Sequence, residues 1–297
     1  MRSRPLPKAR FAAIILILLV AGVVALLVAC PPGAGKNTVP PTETRRPSAN
    51  ASPQAQAART GPPGHPRPEQ QGMLAVIIDD AGYNLGELQA FLDLPGPLTI
   101  SVLPNLPHSR EAARRVLAAG KDLILHCPME ATGGEDPGPG ALRTDQSPRE
   151  VESLLAAAFA TVPGAQGMNN HMGSRATADE ALMSTVLGFL KREGKFFVDS
   201  RTTADTVGPR VARELGVPLL QRDVFVDEST SDADIAAAFV KGVSEAKTRG
   251  FAVLIGHVQN RGVIDILRAE ERNLSSEGVR LARLTDVLGE QERETGQ

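Results

Sequence analysis

The sequence predicts one α/β domain with a barrel-like sheet of parallel strands, placed behind an N-terminal targeting segment and a linker. From Met73 onward, short apolar runs of strand length alternate with helix-like segments, a pattern typical of repeated βαβ units. The alternating part, residues 73–297, suits one closed or nearly closed barrel better than two domains. Ionisable residues follow several of the apolar runs, at the carboxyl ends of strands where such folds keep their functional groups.

Residues 1–30 have the features of an export signal or a membrane anchor. Four basic residues precede an uninterrupted uncharged run over 11–29, which is about long enough to span a bilayer. The run ends in Leu27-Val28-Ala29-Cys30, which resembles the lipobox of bacterial lipoproteins. A lipidated Cys30 is slightly favoured, and an uncleaved anchor stays open. In both cases we expect the rest of the chain to be tethered to the membrane outside the cytoplasm, in the periplasm of a bacterial cell envelope.

Residues 31–72 are predicted to form a disordered linker. They are dense in Pro, Ala, Gly, Gln, Thr and Ser and have no apolar periodicity. Such a segment cannot bury enough apolar surface to offset the entropy of ordering it. His65 lies in this segment and is expected to be solvated.

Composition limits the classes of partner. The formal net charge is −2 and 22% of the 297 residues are charged, so the chain lacks the basic surface that nucleic acid requires. Tryptophan is absent and the single tyrosine is Tyr83, which argues against a carbohydrate-binding module built on aromatic stacking. No disulfide is expected between Cys30 and Cys127, because the first is the candidate lipidation site and the second lies deep in the domain.

The strands and helices can be placed in order along the domain. Apolar runs predict strands over residues 74–78, 98–103, 122–125, 166–168, 195–198, 219–226 and 251–255; helix-like segments lie over 109–119, 148–161, 178–192 and 232–248. Ser147-Pro148 is typical of a helix N-terminus, and Thr177 precedes an acidic first turn. Glycines at 120, 194 and 250 stand just past predicted helix ends, where a left-handed residue is common.

The first predicted strand ends in two adjacent carboxylates, Asp79 and Asp80, followed by a glycine. Neighbouring residues of a strand point to opposite faces, so one carboxylate could bind an ion while the other turns toward a substrate. An isolated Asp-Asp pair has an alternative of equal weight, in which one residue caps the next helix and the other pairs with an arginine.

Further polar residues follow later strands and favour the functional interpretation. His126, His171, Asp199 and His257 each stand at or just after the carboxyl end of an apolar run. A single such histidine is more often a hydrogen-bonded structural residue, but burying several ionisable groups together is costly unless a cation or mutual pairing offsets it. Asp and His side chains are competent ligands for zinc or a similar divalent ion. His108 is expected at the rim.

The order of these residues resembles a known family. Ile78-Asp79-Asp80-Ala81-Gly82, His126-Cys127-Pro128-Met129-Glu130, and Asn169-Asn170-His171-Met172-Gly173-Ser174 are similar to motifs of NodB-type polysaccharide deacetylases, in particular their divergent, YibQ-like branch. The resemblance covers Met73 to about Gly289. It implies a distorted seven-stranded barrel of the NodB type.

The resemblance also implies roles in a metal centre. Asp79 corresponds to the catalytic base and Asp80 to a metal ligand, and His126 matches the first histidine of the metal motif. The second histidine of that motif is replaced by Glu130 in this sequence. The third ligand is therefore either Glu130 or His171, and His171 is favoured because polar neighbours stand beside it in the chain.

Other roles concern proton transfer and substrate. His257 matches the late histidine that acts as general acid, and Asp199 is expected to orient His257 or another residue of the site. A backbone N–H near Tyr83 is expected to help hold the oxyanion, and Tyr83, Arg175 and Glu130 are candidate substrate contacts. The implied function is metal-dependent removal of N-acetyl or related acyl groups from a cell-envelope polysaccharide. The missing histidine and a missing Arg-Pro-Pro motif favour an alternative, a non-catalytic envelope-binding or scaffolding module with a vestigial site; hydrolysis of a different bond is a third.

Overall fold

A computed structural model describes residues 71–295 of the chain. The predicted targeting segment with Cys30, and the predicted linker up to residue 70, lie outside the described residues. Among residues 71–295, none of the helices combines the length and apolar character that crossing a bilayer requires.

The described residues form nine strands and eight α-helices, with two short 3-10 turns at Ala176–Ala178 and Ser275–Glu277. The strands are β1 Gly72–Ala81, β2 Thr99–Val102, β3 Asp122–Met129, β4 Gly167–Met172, β5 Phe196–Asp199, β6 Leu219–Gln221, β7 Val224–Phe225, β8 Phe251–His257 and β9 Val279–Leu281. The helices are α1 Leu85–Leu92, α2 Ser109–Ala118, α3 Pro148–Thr161, α4 Glu180–Arg192, α5 Gly208–Leu215, α6 Asp232–Arg249, α7 Arg261–Leu274 and α8 Leu284–Thr295.

The strands form one parallel sheet in the order β6-β5-β4-β3-β2-β1-β8-β7, with β9 added beside the start of β1. The predicted run 219–226 is divided in the structure: its first part, β6, pairs with β5, and its second part, β7, pairs with β8. The two residues between β6 and β7 therefore connect the first and last strands of this order. The predicted barrel-like α/β architecture is confirmed, with nine strands rather than seven because this run is split and β9 is added.

Alternate residues of the central strands face two separate cores. In β1, Leu74, Val76 and Ile78 pack toward the helices, whereas Ala75 and Ile77 pack inside the curled sheet. Helix α8 contributes to the inner core through 284, 287 and 288. Burial on both faces explains why the strands are nearly continuous apolar runs. The inward positions that come next, toward the carboxyl edge, are polar.

Helix termini follow the sequence signals in most places. Helix α3 begins with a capping box, in which Glu150 N donates to Ser147 Oγ at 3.4 Å and Ser147 N donates to the Glu150 carboxylate at 2.8 Å. Gly250 ends α6 in the left-handed region, with φ of 84°. Helix α4 is capped by Asp179, which accepts from Leu182 N at 2.8 Å, while the Thr177 hydroxyl donates to a carbonyl of the preceding turn.

Candidate active site

The two aspartates at the end of β1 lie on either side of one imidazole ring. Asp79 Oδ1 is 3.6 Å from His126 Nδ1, and Asp80 Oδ1 is 3.2 Å from His126 Nε2. The expectation that the two carboxylates point to opposite faces is therefore wrong. The pairing of β1 with β2 shifts register between Ile78 and Ala81, and Asp80 has a φ of 65°. This left-handed residue costs roughly 1–3 kcal/mol, and such strain is concentrated at functional sites.

Asp80, His126 and His171 bring three candidate ligand atoms together. His171 Nδ1 is 3.1 Å from His126 Nε2 and 3.2 Å from Asp80 Oδ1, which closes the triangle begun by the Asp80–His126 contact. These residues come from β1, β3 and β4, and their ligand atoms all lie within 4.8 Å of one another. The structure thus brings together the three residues that the sequence favours as metal ligands.

Asn169 holds both Asp79 and His126. Its Nδ2 donates to the two Asp79 carboxylate oxygens at 2.9 and 3.1 Å. Its Oδ1 accepts from Ser101 Oγ at 2.6 Å and lies 2.8 Å from His126 Nδ1. Because an amide oxygen can only accept, His126 Nδ1 carries a proton toward Asn169. The lone pair of a neutral His126 is therefore on Nε2, which faces Asp80 and His171.

The electrostatics of this cluster favour a bound cation. Burial raises the pKa of Asp79. Burial acts in the same direction on Asp80, but contacts with His126 and His171 outweigh it and hold the Asp80 pKa well below its usual range. For His126, burial lowers the pKa, but the charges of Asp79 and Asp80 raise it overall. The charged form of each of these buried side chains is therefore stabilised by oppositely charged neighbours.

The three ligand atoms fit a divalent metal. Asp80 Oδ1 is buried without a conventional hydrogen-bond partner, and the lone pair of His126 Nε2 is directed at the same point. Zinc–ligand bonds of about 2.0–2.1 Å in a tetrahedral arrangement separate the ligand atoms by roughly 3.3 Å. The observed separations of 3.1–3.2 Å are close to that value. A cation at this point would stabilise these electron-pair donors, which lie close to one another.

His257 lies beside this cluster and is oriented by Asp227. In the pairing of β1 with β8, His257 is the register partner of Asp79. His257 Nδ1 is 2.9 Å from Asp227 Oδ1, and its backbone N–H donates to Asp227 Oδ2 at 2.9 Å. Burial lowers the pKa of His257, but the Asp227 hydrogen bond and the Asp79 charge raise it to about 9. His257 is therefore an imidazolium at neutral pH.

Asp199 is not the partner of His257, so that interpretation is wrong. Within β5, Val198 belongs to the inner core and Phe197 to the outer core, so Asp199 follows the outward positions. Its Oδ1 accepts from Arg201 N at 2.8 Å and its Oδ2 from Thr206 Oγ1 at 2.7 Å. The carboxylate thus shapes the loop after β5. Its alternative role, orienting another residue of the site, stays a prediction.

The remaining candidates are not part of the group of ligand residues. The Glu130 carboxylate accepts from Thr144 N at 2.8 Å and lies 3.5 Å from Arg175 Nη1, so it anchors the loop after β3 and is not in the ligand group. Tyr83 is 62% exposed and His108 is also exposed. The predicted contacts of Tyr83, Arg175 and Glu130 with substrate stay predictions.

Sequence reasoning missed Asp227 and Ser101. The signal for Ser101 was strand alternation, because Ile100 and Val102 pack outward and Ser101 therefore faces the polar layer inside. Asp227 directly follows the predicted strand 219–226, at the same edge as the other polar residues. Asp227 could have been selected by the rule that selected the histidines, whereas Ser101 required the alternation of inward and outward residues along its strand.

A curled parallel sheet with carboxylates and histidines gathered at its carboxyl edge defines a barrel-like α/β protein with a candidate metal centre in its mouth. A family model described as divergent polysaccharide deacetylase matches residues 76–288. The chain belongs to the divergent polysaccharide deacetylase family, and the resemblance seen in the sequence is confirmed.

Two relatives are similar to this chain in sequence, and one solved structure is similar to it in fold. An uncharacterized protein of Haemophilus influenzae is 36% identical over 204 residues, which cover 69% of this chain and 72% of that protein. The uncharacterized protein YibQ of Escherichia coli is 32% identical over 228 residues, covering 77% and 71%. The crystal structure of an uncharacterized protein from Agrobacterium tumefaciens C58 matches with a TM-score of 0.70 at 19% identity, covering 73% of this chain and 89% of that one, which supports the fold.

Proposed function

We propose that the domain is a metal-dependent hydrolase that removes N-acetyl or related acyl groups from a cell-envelope polysaccharide. The observation that carries the proposal is the convergence of Asp80, His126 and His171 on one point, with Asp79 and His257 paired beside it on neighbouring strands. Three protein ligands leave positions open for water and substrate, as catalytic metal sites require. The family assignment supports a polysaccharide substrate.

Asp80, His126 and His171 would hold the cation, and zinc is the ion that this donor set suits best. When bound, such an ion supplies Lewis-acid polarisation of an acyl carbonyl and lowers the pKa of water. Asn169 keeps the proton of neutral His126 on Nδ1, so that Nε2 can bind the ion. The hydrogen-bond partner of a ligating histidine usually has this orienting role.

Asp79 and His257 would move protons in opposite directions. Asp79 is 2% exposed and raised in pKa, so its carboxylate is a stronger base than a solvated aspartate and accepts the proton of the attacking water. Both of its oxygens are held by Asn169, which limits its rotation. His257 is protonated at neutral pH and donates to the departing amine. Acid–base hydrolysis needs one group that accepts a proton and another that donates one. The different environments of Asp79 and His257 suit them to these two roles.

We also propose that the domain works outside the cytoplasm at the membrane. The support is in the sequence, where the apolar run over 11–29 and Cys30 precede the proline-rich residues 31–72. A domain exported or anchored by such a segment would meet an envelope glycan outside the cytoplasm.

Acetate release tests the proposed reaction. The full-length chain loaded with zinc should release acetate from N-acetylated fragments of peptidoglycan, chitin or poly-N-acetylglucosamine, and a chelator should stop the release. Absence of release from all three, together with no binding of divalent metal, would refute the hydrolase and leave the scaffolding module as the better account.

Asp227→Asn should move the alkaline limb of the pH–rate profile to lower pH. Burial lowers the pKa of His257, but the Asp227 hydrogen bond and the charges of Asp79, Asp227 and Asp80 together raise it to about 9. The protonated acid is therefore present below that value and is lost as pH rises through it. Removing one adjacent negative charge lowers such a pKa by about 1–3 units. The measurement is kcat/KM for acetate release against pH.

An aryl acetate ester provides the control for this prediction, because its leaving group departs without protonation. The alkaline limb assigned to His257 should be much weaker with that substrate. An alkaline limb that stays in place in Asp227→Asn with the N-acetyl substrate would contradict the assignment.

A further inference from the structure

The two oxygens of the Asp80 carboxylate have different surroundings. Asp80 Oδ1 lies 3.2 Å from both His126 Nε2 and His171 Nδ1 and has no conventional hydrogen-bond partner. Asp80 Oδ2 accepts a hydrogen bond from Gln259 Nε2 at 3.1 Å. The carboxylate therefore presents one oxygen to the candidate metal ligands, while its other oxygen is held by a glutamine that is 179 residues away in the chain.

Gln259 lies in a tight turn directly after β8. Asn260 N donates to the His257 carbonyl at 3.1 Å, which closes the turn around Val258 and Gln259. Val258 N donates to the Asp79 carbonyl at 3.0 Å, so the turn is also bonded to the end of β1. Helix α7 begins immediately after the turn. The position of the Gln259 backbone relative to the end of β1 is therefore fixed by backbone hydrogen bonds.

The Asp80 side chain depends on such a contact for its direction. Asp80 lies beyond the last residue pair of β1 and β8, and its φ of 65° is in the left-handed region. Within residues 71–295, its carboxylate contacts the side chains of His126, His171 and Gln259. With an ion bound, both histidines direct a lone pair at the ion and have no proton to donate to Asp80. Gln259 is then the contact that donates to this carboxylate.

A glutamine suits this position because its amide is a neutral donor. Within residues 71–295, the ion pairs of Asp80 are with histidines alone, whereas Glu130 pairs with Arg175. A lysine or arginine bound to Asp80 would repel a cation at the same carboxylate. The amide of Gln259 orients the carboxylate and leaves its negative charge available to the ion.

We propose that Gln259 is a positioning residue of the metal centre. Its amide holds Asp80 Oδ2, keeps Oδ1 directed at the ligand atoms of His126 and His171, and thereby strengthens binding of the ion. This inference rests on the proposed function and adds a residue that supports its cation site. The hydrogen-bond partner of a metal ligand typically contributes about 10- to 100-fold to metal affinity. An incidental hydrogen bond of an exposed glutamine would contribute nothing to that affinity.

The test measures the zinc affinity of the full-length chain by competition with a chromophoric chelator. Gln259→Met has a side chain of similar length without a donor, and it should raise the dissociation constant for zinc by about 10- to 100-fold. Gln259→Lys keeps a donor but adds a positive charge, so it should weaken zinc binding further than Gln259→Met. The unfolding free energy of the metal-free chain should be nearly the same in Gln259→Met, because Gln259 is exposed.

Gln89 provides a matched control. Its Nε2 donates to Asp93 Oδ1 at 2.9 Å, and both residues are exposed at the end of α1. Gln89→Met therefore removes the same kind of amide–carboxylate hydrogen bond at a position outside the ligand group, and it should leave the zinc dissociation constant unchanged. Co²⁺ gives a second measurement, because its visible spectrum responds to the arrangement of its ligand atoms. The spectrum should change in Gln259→Met and stay the same in Gln89→Met.

Two results would overturn the proposal alone. The first is a zinc dissociation constant that is unchanged in Gln259→Met, and the second is an equal loss of affinity in Gln89→Met. Absence of zinc binding by the unaltered chain would overturn the proposal together with the metal centre.

Acetate release measured in parallel separates this proposal from the proposed reaction. Zinc binding that is weakened in Gln259→Met, in a chain that releases no acetate before substitution, would uphold the role of Gln259 and refute the hydrolase. Acetate release by the unaltered chain, with equal zinc affinities in that chain and in Gln259→Met, would uphold the hydrolase and refute the role of Gln259.

Discussion

Asp79→Asn is expected to lower the rate of acetate release by about 10²–10⁴, the range that a positioned general base contributes. The substitution keeps the size of the side chain and removes the basic carboxylate that Asn169 holds. Metal binding should change little, because the ligand atoms belong to Asp80, His126 and His171. The measurements are kcat/KM for acetate release, and the rise in melting temperature on adding zinc.

The control for this prediction is Asp265→Asn, the same chemical change at an exposed position of α7, which should leave both measurements unchanged. If Asp79→Asn lost zinc-dependent stabilisation, Asp79 would be a ligand rather than the base. If it retained full turnover with zinc bound, another group would have to accept the proton.

His126→Ala and His171→Ala should each abolish stabilisation of the domain by divalent metal. A ligand that binds only the folded state adds about 2.7 kcal/mol to the free energy of unfolding at a hundred times its dissociation constant. Losing one of three protein ligands leaves too few to hold the ion in a pocket from which water must be displaced. The quantity to compare is the difference in unfolding free energy with and without zinc for each variant, since removing the buried His126 also lowers stability directly.

Glu130→Gln is the informative comparison for the ligand set. Glu130 was the alternative third ligand, and it is bound instead to Thr144 and Arg175. Its substitution should leave the zinc-dependent increment intact while loosening the loop after β3. The opposite result, a full increment in His171→Ala and none in Glu130→Gln, would transfer the ligand role to Glu130.

Metal uptake should also become weaker as pH falls. The charges of Asp79 and Asp80 raise the pKa of His126 above its usual value against the effect of burial, so protons compete with the cation for Nε2 at higher pH than they would for a solvated histidine. Because this competition changes with pH, the unfolding of all variants should be measured at the same pH.

The alternation of strands and helices made the fold predictable, because β1, β2, β3, β5 and β8 are buried on both faces and are rich in apolar residues. The candidate ligands were predictable for the same reason. His126 and His171 follow such runs at their carboxyl ends, and several ionisable groups buried together at one edge indicate a site, whereas a single histidine does not. The adjacent asparagines favoured His171 over Glu130, and Asn169 does support the cluster.

Two features depended on geometry that the sequence does not display. The register shift at the end of β1 turns Asp80 back toward His126, which simple alternation excludes. The division of the run 219–226 into β6 and β7 moves Asp227 beside His257, whereas an undivided strand suggests Asp199 as the partner. Asp199 itself could have been placed correctly, because Phe197 two residues earlier packs toward the helices.

The origin of the three ligands in β1, β3 and β4 has a consequence for folding. His126 and His171 are 45 residues apart in the chain, and they meet Asp80 only after the four neighbouring strands β1 to β4 have paired in the native register. A slip of one residue in β4 would turn Asn170 inward and remove His171 from the cluster. Parallel pairings of this kind form slowly, since distant segments must meet first. A partly folded chain would therefore have no competent cation site, and metal uptake would distinguish correctly paired molecules from those whose strands are out of register.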